Sequence, residues 1–511
     1  MNSITGRIFL PFFYALLRYY ETSRLAKIFC GIGSACSAAC RGSVLITFFV
    51  KDGALSRGWK HSVLCRILTA VFNLPGRLLR KLYRRFEPSF EHSIAARLGF
   101  GLVEETPLAA AWLILLILVI PYKMWNNAYS FAGFAILFLF AIAAQMRSDR
   151  QKFDFAAMGP YLLGFAGLIV LAWPMSAFPQ LSGRFLLYHV ACMLCVLVLV
   201  ATVKHTDQLM RLAGMATTGL VVTAAYGVVQ RIQGVEVNPS YVDLTLNKDM
   251  PGRIYSMFEN PNAFGEVLVL LIPIAIALML GSRGWLGKIW GLFGAGLGAV
   301  ALAMTYSRAA FVGLAVSAVI FVLFWNRKLL PLFLLAALAA IPILPDSVFH
   351  RILTIFNFSD TSTSSRFPLY QAAIRLISER PLQGAGLGSD AVRTTVKNLN
   401  LYHGVAPFVH SHNVYLQIWA ETGVFGLLAF LGSAVWTLKR AAHTVAKKLG
   451  SPTTRMMVIG GISSIAGIMT CGLADFIWHY PRVMLIFWFV FGLTLAGIRL
   501  ASRESAEAET E

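Results

Sequence analysis

Residues 403–426 read HGVAPFVHSHNVYLQIWAETGVFG, and within this stretch the chain changes from a long polar segment to a new apolar run. Three histidines lie at the change: His403, His410 and His412. The apolar run that follows is long enough to form a membrane-crossing helix, so the change marks an expected membrane boundary. The stretch therefore predicts ionisable side chains at a membrane surface, directly before a transmembrane helix.

A polar stripe follows these histidines. On a helix that begins near Asn413, the side chains of Asn413, Gln417 and Glu421 are four residues apart and lie on one face. Amides and a carboxylate are costly in hydrocarbon unless they face protein or a wet cavity. The pattern fits a helix that borders a functional site, and it also fits a helix cap with a stripe that joins two helices.

The composition indicates a multi-span membrane protein. The 511 residues are 57% hydrophobic and only 13% charged, which excludes a soluble globular protein because too few polar residues remain to cover the surface. The formal net charge is +20, but the basic residues lie largely in short loops and near the N-terminus. We interpret this charge as membrane orientation and contact with anionic lipid, not nucleic-acid binding. The seven cysteines form no disulfide framework or metal-ligand pattern.

The N-terminal region, residues 1–106, differs from the rest. Its first 105 residues carry 15 Lys and Arg against 6 Asp and Glu, interleaved with aromatic and leucine residues at helical spacing. Such patches predict amphipathic helices on the inner membrane surface, in contact with anionic lipids. Ile28–Val50 is apolar but contains Arg41, so we do not predict a span there, and no cleaved signal peptide is expected.

From residue 107 to residue 500 the sequence predicts an all-α, polytopic transmembrane domain of about 12 helices, followed by a short cytoplasmic tail at 501–511. The apolar runs that define these spans are 108–122, 128–145, 156–175, 185–204, 210–229, 262–281, 288–305, 309–326, 329–345, 413–437, 456–475 and 482–499.

The positive-inside rule orients this domain. With a cytoplasmic N-terminus, the basic loops near Arg147, near Arg327 and between Lys439 and Arg455 all fall inside, as does the C-terminal tail. Two long polar segments, 230–261 and 346–412, then lie outside.

Several arginines on the outer side run against this rule and need another reason. Arginine carries a permanent charge and a planar fork that binds phosphate oxygens in two places, so a pyrophosphate site is predicted. For Arg308 the alternative is an anchor at the membrane interface. The outer arginines are Arg253, Arg308, Arg366, Arg375, Arg380, Arg393 and Arg482.

An external amphipathic helix is predicted to begin at Arg366. Its apolar face would comprise Phe367, Tyr370, Ala373, Ile374 and Ile377, and would rest on the bilayer or over a cavity. We expect the basic residues at 375 and 380 on its wet face. The glycine-rich PLQGAGLGSD that follows has no preceding strand and no Walker lysine, so it predicts a tight turn and not a nucleotide cradle.

Two further segments carry polar candidates. In GRIYSMFENPNAFGE a turn at residues 260–262 precedes a span, with Arg253 and Glu259 as candidate sugar or phosphate contacts. In CGLADFIWHYPRV, Asp475 and His479 are four residues apart beside Arg482. That cluster either supports the site or is structural.

Together these residues resemble the bacterial O-antigen ligase and polymerase superfamily. His412-Asn413, nine residues and then Gly423-x-x-Gly426 match its His-Asn-x9-Gly-x-x-Gly signature. An arginine after Ser307, another at the start of the external helix and the RIYSMFENPN segment agree with it. The resemblance covers roughly residues 107–500.

The resemblance implies a GT-C-like fold and metal-independent, inverting glycan transfer from an undecaprenyl-diphosphate carrier to an acceptor hydroxyl outside the bacterial cytoplasmic membrane. The acceptor would be a glycan, a lipid or a wall component, and no cofactor is expected. His412 would act on the acceptor hydroxyl, while Arg308 and Arg366 would hold the diphosphate. The candidate substrate-binding residues are Arg253, Asn260, Asn262, Asn413, Gln417, Glu421, His410, Asp475, His479 and Arg482.

Other function classes stay open at this point. A transporter or flippase for a lipid-linked saccharide would also have about twelve spans, although no inverted repeat is evident. A non-enzymatic scaffold would leave the outer arginines unexplained. Among enzymes, a polymerase, a ligase and a protein O-oligosaccharyltransferase would share these site residues and differ in the acceptor.

Overall fold

The structure is a computed structural model that describes residues 54–147, 152–237, 251–356, 365–404 and 407–509. Helices and no strand are found in these ranges, which confirms the all-α prediction. The stretch Ile28–Val50 lies outside them. The helices are α1 (Ala54–His61), α2 (Val63–Phe72), α3 (Leu74–Arg85), α4 (Glu87–His92), α5 (Ile94–Glu104), α6 (Thr106–Val119), α7 (Asn127–Ala143), α8 (Phe155–Met158), α9 (Pro160–Ala172), α10 (Pro179–Thr202), α11 (Thr206–Gln233), α12 (Pro261–Gly281), α13 (Trp285–Thr305), α14 (Arg308–Asn326), α15 (Leu330–Ala340), α16 (Asp346–Leu353), α17 (Arg366–Glu379), α18 (Ser389–Asn398), α19 (Val414–Ala446), α20 (Pro452–Cys471) and α21 (Pro481–Ala508).

The chain is a multi-pass membrane protein. Within the described ranges, nine helical segments are long and apolar enough to cross a membrane, or ten if the bent pair α5 and α6 forms one span. One of the nine, Arg308–Ile343, comprises 36 residues and would be about 54 Å long if it were straight. That length is nearly twice the hydrocarbon thickness of a bilayer.

The segment Arg308–Ile343 instead doubles back near Asn326, whose backbone is extended (φ −155°). Just beyond its end, the Ser347 hydroxyl lies 3.0 Å from the Tyr306 hydroxyl, which precedes its start. The guanidinium Nε of Arg351 donates to the Tyr306 carbonyl at 3.1 Å. Helices α14 and α15 are therefore two crossings, as the two apolar runs predicted.

The shorter apolar helix α9 is also a crossing. Before it, Gly159 lies against the Trp436 indole, in the C-terminal half of α19. After it, the Ala177 N–H donates to the Ala385 carbonyl at 3.1 Å, in the segment ahead of α19. The described residues therefore hold at least nine membrane-spanning segments, and the prediction of about twelve adds α9 and the separate crossings of α14 and α15 to them.

This alternation defines two ends of the molecule. The histidine end carries the starts of α12, α14, α19 and α21, together with α16, α17 and α18. The opposite end carries the start of α20 and the ends of α19 and α21, and there the Thr453 hydroxyl donates to the Gly281 carbonyl at 2.9 Å. Arg327, Lys439 and Arg455, which the sequence placed inside, all lie at the opposite end.

The C-terminal helix α21 is the core of the bundle. The most apolar stretch of this helix is buried throughout, and Trp488 and the phenylalanines around it are fully buried. A helix that is apolar on all sides is expected at the centre of a membrane bundle. It continues through the predicted tail as far as Ala508.

Helices α1–α5 pack against the opposite end. The Asn73 side chain donates to the Phe153 carbonyl at 3.1 Å and accepts the Phe153 N–H at 2.9 Å. The Leu74, Leu78 and Leu82 side chains, one turn apart on α3, are 48 to 56% exposed. The predicted amphipathic pattern is therefore present in residues 54–104, whereas its contact with anionic lipid stays a prediction.

The external helix α17 lies over the start of α19, but the predicted apolar face is only partly correct. Ala373 and Ile377 are buried as expected, whereas Phe367 and Ile374 are 50% and 51% exposed. The packed face is turned toward Ala372 and its neighbours because these small side chains allow α17 to pack closely against Ala420 of α19.

Candidate functional site

The centre of the site is a hydrogen-bonded pair of a histidine and an aspartate. His412 directly precedes α19 with a left-handed backbone (φ 48°), and Asp475 lies in the loop between α20 and α21. The His412 Nδ1 is 3.1 Å from Asp475 Oδ1. The side chains are 31% and 10% exposed, so the imidazole is reachable while the carboxylate is enclosed. In the tautomer that carries a proton on Nδ1, His412 donates this hydrogen bond to Asp475.

A hydrogen-bond chain fixes the carboxylate. The Asn262 side-chain Nδ2 donates to Asp475 Oδ2 at 3.1 Å, and the Asn262 side-chain Oδ1 accepts from Arg253 Nη2 at 2.6 Å. The Arg253 Nε in turn donates to the Thr305 carbonyl, at 2.7 Å. This chain joins the start of α12, the end of α13 and the loop before α21, so three distant parts of the sequence orient one carboxylate.

The pKa of Asp475 is held below its ordinary value. Burial alone would raise this pKa, but the hydrogen bond from His412 and the charge of Arg366 outweigh burial. This environment favours the ionised carboxylate, which can stabilise a positive charge on His412.

A second histidine supports the first. The His410 ring lies between those of His412 and His479, at centroid distances of 4.1 and 4.5 Å. Its Nδ1 accepts the His412 backbone N–H at 3.1 Å. Burial, followed by the charges of His412 and His479, lowers the pKa of His410. His410 is therefore a neutral acceptor that fixes the backbone at His412, while His479 Nδ1 lies 3.2 Å from the Ser389 hydroxyl.

Arg253 connects this pair to three further arginines. Burial lowers the pKa of Arg253, and the charges of Arg351, Arg308 and Arg366 lower it further, against an opposing effect of Asp475. Arg308 and Arg366 are only partly buried and begin helices α14 and α17. At a helix N-terminus the backbone N–H groups add to the positive charge, so these two side chains form the accessible side of an anion-binding surface.

Sequence reasoning missed two residues of this site. Arg351 is 3% exposed and is one of the four arginines named above, but in SVFHRIL it looks like an ordinary basic residue of a short amphipathic helix. Glu266 is 5% exposed and lies one turn after Asn262 on α12, near enough to Asp475 for their charges to interact. A single carboxylate inside the apolar run AFGEVLVLL was the signal that could have identified Glu266.

The polar stripe of α19 holds the loops of the site in place. Asn413 caps the helix and accepts the N–H groups of Tyr415 and Leu416. Gln417 accepts the Ser411 N–H at 2.9 Å and donates to Glu421 at 2.9 Å. Asn413 thus caps the helix, and Gln417 connects the preceding loop to Glu421 within α19.

The signature glycine Gly423 interrupts helix α19 just after Glu421. Its backbone (φ 73°, ψ 178°) is not helical, and a Cβ there would overlap the Leu382 carbonyl. The carbonyls freed at Ala420 and Glu421 accept the N–H groups of Ala385 and Gly386, at 2.7 and 3.1 Å. The glycine-rich turn that follows α17 is thereby hydrogen-bonded to α19, which fixes the external helix over the site.

Three of the outer arginines contact groups other than His412 and Asp475. Arg375 donates to the Leu401 carbonyl at 3.1 Å, and Arg393 pairs with Asp390 at 3.0 Å. Arg482 donates to the carbonyls of Met257 and Ile117, and its guanidinium carbon lies 4.8 Å from the centre of the Phe258 ring. The predicted cluster of residues 475, 479 and 482 is therefore divided, since Arg482 joins α21 to α6.

The Asn260 side chain fastens the start of α12. It accepts the Ala263 N–H at 2.9 Å as the helix cap and donates to the Tyr480 hydroxyl. Burial raises the pKa of Glu259, and the charge of Arg482 opposes this rise. These residues border the site and connect it to the anchoring contacts of α21.

A metal ion could be held by His410, His412 and Asp475, since one ligand atom from each lies within 4.8 Å of the others. Two features disfavour a divalent cation there. His410 Nδ1 already accepts a backbone N–H, and the charges of the neighbouring arginines oppose a further positive charge.

Comparison with known families agrees with this geometry. Residues 292–431 match the family model described as O-Antigen ligase, which confirms the resemblance over this part of the chain. The matched range contains Arg308, Arg351, Arg366 and the His412 signature, whereas Arg253 and Asp475 lie outside it. The match indicates a glycosyltransferase-like protein with, in general terms, a lipid-linked glycan donor and a glycan acceptor. No curated protein matches the chain.

Proposed function

We propose, from the O-antigen ligase match of residues 292–431, that this protein transfers a glycan from undecaprenyl diphosphate to an acceptor hydroxyl at the outer face of a bacterial cytoplasmic membrane. The observation that carries the proposal is the pairing of His412 with Asp475 beside four arginines at one end of a membrane bundle. The acceptor decides between a polysaccharide polymerase, a ligase and a protein O-oligosaccharyltransferase.

His412 is the general base in this proposal. A sugar hydroxyl is a poor nucleophile, and an imidazole Nε2 can take its proton as the new bond forms. Asp475, bonded to Nδ1, fixes the ring orientation and stabilises the imidazolium that results, as the aspartate does in a Ser-His-Asp triad.

The arginines act on the leaving group. The acceptor oxygen bonds to the anomeric carbon while the bond from that carbon to the phosphate oxygen breaks, and the electron pair stays on the diphosphate. The guanidinium groups of Arg308 and Arg366 stabilise this developing charge. Attack opposite the leaving group inverts the anomeric centre, and no metal is needed for the charge to be stabilised.

The remaining candidates have supporting roles. Arg253 and Asn262 position Asp475, and His410 positions His412. Arg351 is buried against the Tyr306 carbonyl, so it adds positive charge from behind the accessible arginines. The other polar candidates hold the loops of the site in place; they are Asn260, Asn413, Gln417, Glu421, His479 and Arg482.

The experiment uses the full-length protein in nanodiscs with an undecaprenyl-diphosphate oligosaccharide. Glycan lengthening and release of the free carrier diphosphate are followed with and without EDTA. We expect His412→Ala to lower the rate by about 100-fold or more, because a general base contributes about 10²–10⁴-fold. The rates of the Arg308→Ala and Arg366→Ala variants should fall by a similar factor, and EDTA should leave the wild-type rate unchanged.

Matched controls distinguish the site from general damage. Arg375→Ala lies on the same external helix as Arg366, and His403→Ala lies on the same loop as His412, but both side chains are exposed. Both controls should keep wild-type rates. A fully active His412→Ala variant would refute the proposed base, and inactivation by EDTA would refute the metal-free mechanism. Release of carrier only with a lipid or peptide acceptor would identify a ligase or protein transferase.

A further inference from the structure

A large cavity lies at the opposite end of the molecule, far from the histidines. Its volume is about 1120 Å³, at the upper limit of ordinary ligand sites, which measure about 300–1,000 Å³. Its walls come from α1, from the segment around α8, from α9 and from the second halves of α19 and α21. The cavity therefore forms where the basic N-terminal region meets the transmembrane bundle.

The charge of this cavity is strongly positive. Six Lys and Arg side chains and two histidines line it, against one carboxylate, Asp154. That carboxylate already caps α8, since it accepts the Ala157 N–H at 3.2 Å. The basic residues of the wall are Arg57, Lys60, Lys439, Arg440, Arg499 and Arg503.

One wall of the cavity is apolar. Leu428, Leu431, Val435 and Tyr161 line the part that reaches toward the middle of the bundle. Leu428 and Val435 are 56% and 41% exposed, so this wall is open toward the surrounding hydrocarbon. A cationic end joined to an apolar wall is the shape complementary to an amphipathic anion.

Two buried side chains in the wall carry donors that find no acceptor among the described residues. Arg499 is 3% exposed, and its Nη2 donates to the Val203 carbonyl at 2.9 Å, whereas its Nε and Nη1 have no acceptor in this part of the chain. The buried Trp436 indole Nε1 is also without an acceptor in the described ranges. Unsatisfied donors are costly in a membrane interior, and a buried guanidinium is more costly still, so these groups point to a ligand that accepts hydrogen bonds.

We propose that this cavity binds an anionic, phosphate-bearing lipid from the leaflet at the opposite end. Its phosphate accepts hydrogen bonds from Arg499 and is surrounded by Arg503 and Lys439, while an acyl or prenyl chain lies along Leu428 and Val435. The lipid thereby joins α1 of the N-terminal region to α19 and α21. The inference rests on this cavity and is independent of the proposed transferase chemistry.

Charge argues against an alternative occupant from the chain itself. Residues 1–53 carry six Lys and Arg against two acidic residues, so they would place further positive charge in a cationic cavity. A phospholipid supplies the opposite charge, and its chain matches the apolar wall. Guanidinium and ammonium groups are the usual protein partners of phosphate.

The test is a lipid titration of the full-length protein in mild detergent, followed by native mass spectrometry. The probes are dioleoyl phosphatidylglycerol, dioleoyl phosphatidylcholine as the zwitterionic comparison, and inorganic phosphate as competitor. We expect one phosphatidylglycerol to bind at least tenfold more tightly than phosphatidylcholine. Arg499→Gln should weaken that binding about tenfold, because a charge-assisted hydrogen bond is lost, and Arg499→Lys should recover part of it.

Arg283→Gln is the matched control, since this exposed basic residue lies at the same end outside the cavity, and it should bind as the wild type does. If Arg499→Gln does not fold, the paired change Lys439→Gln with Arg503→Gln at the rim takes its place. The proposal is wrong if phosphatidylcholine binds equally well, if the cavity variants bind normally, or if wild type binds no lipid. Complete displacement by inorganic phosphate would identify a free-anion site and overturn the lipid assignment.

Discussion

The histidines of the site make the protein sensitive to acid. Burial, with the charges of His412, His479 and Arg366, lowers the pKa of His410, and only Asp475 opposes this shift. The pKa of His479 is lowered too, with burial as the largest cause. The unfolded chain therefore binds more protons than the folded protein below about pH 6.5, and stability must fall as pH decreases through that range.

We expect the thermal unfolding midpoint to fall between pH 7.5 and pH 5.5, and to fall less in His410→Gln, which keeps a neutral acceptor for the His412 N–H. Asp475 does not contribute to this change in the unfolding midpoint. Its pKa is lowered, so the stability that it contributes is lost only below about pH 4. His403→Gln, an exposed histidine on the same loop, serves as the control. Identical pH dependence in wild type and His410→Gln would contradict the prediction.

Much of the residue-level site could be predicted, because its chemistry is unusual for its position. His412, Arg308 and Arg366 are polar groups at expected membrane boundaries, and the structure brings them to one end. The partner of Asp475 could not be predicted. Local spacing suggested His479, four residues away, whereas the hydrogen-bonded pair spans 63 positions to His412.

At the level of elements, Gly423 links the signature to the fold. Its backbone lies in a region that is essentially restricted to glycine and costs other residues about 1–3 kcal/mol. A methyl group there would also push the Leu382 carbonyl away. We expect Gly423→Ala to lower the thermal unfolding midpoint and to reduce transferase activity at least tenfold, because the turn after α17 loses its contacts with α19.

The comparison for this variant is Gly296→Ala. Gly296 lies inside α13, and a Cβ there meets no atom within 4 Å, so alanine should be neutral or slightly stabilising through its better helix propensity. Unfolding is measured for both variants in the same detergent. A Gly423→Ala protein as stable and active as Gly296→Ala would show that the open turn is not needed.

Element boundaries followed from hydrophobic runs, but element faces did not. The long apolar runs ended close to the observed helices, since Asn326 and the basic pair after it interrupt α14 and α15 as expected. The packed face of α17 was misjudged. Periodicity identifies an apolar stripe, but close contact with α19 selected the small residues beside it, which only the tertiary structure defines.

For the whole molecule, the all-α, multi-pass architecture was predictable because each membrane crossing needs a continuous apolar run. The cavity at the opposite end was not, since its walls come from four regions between Leu55 and Ala506. No single stretch of sequence carries its charge pattern. In the sequence, Arg499 and Arg503 resemble an ordinary cytoplasmic helix end. Only the tertiary structure brings α1 and α19 beside them.

The orientation of the whole molecule gives the last prediction. Arg327, Lys439 and Arg455 lie at the opposite end, so the positive-inside rule places that end in the cytoplasm and the histidine end outside. A membrane-impermeant maleimide should label Glu379→Cys on α17 in intact cells, but Arg283→Cys only after lysis. Both positions are exposed, and the four cysteines of the described residues are buried. Labelling of the wild-type protein is measured in parallel and subtracted as the background. The reverse labelling pattern would place the His412 site in the cytoplasm, where the proposed outer-face transfer could not occur.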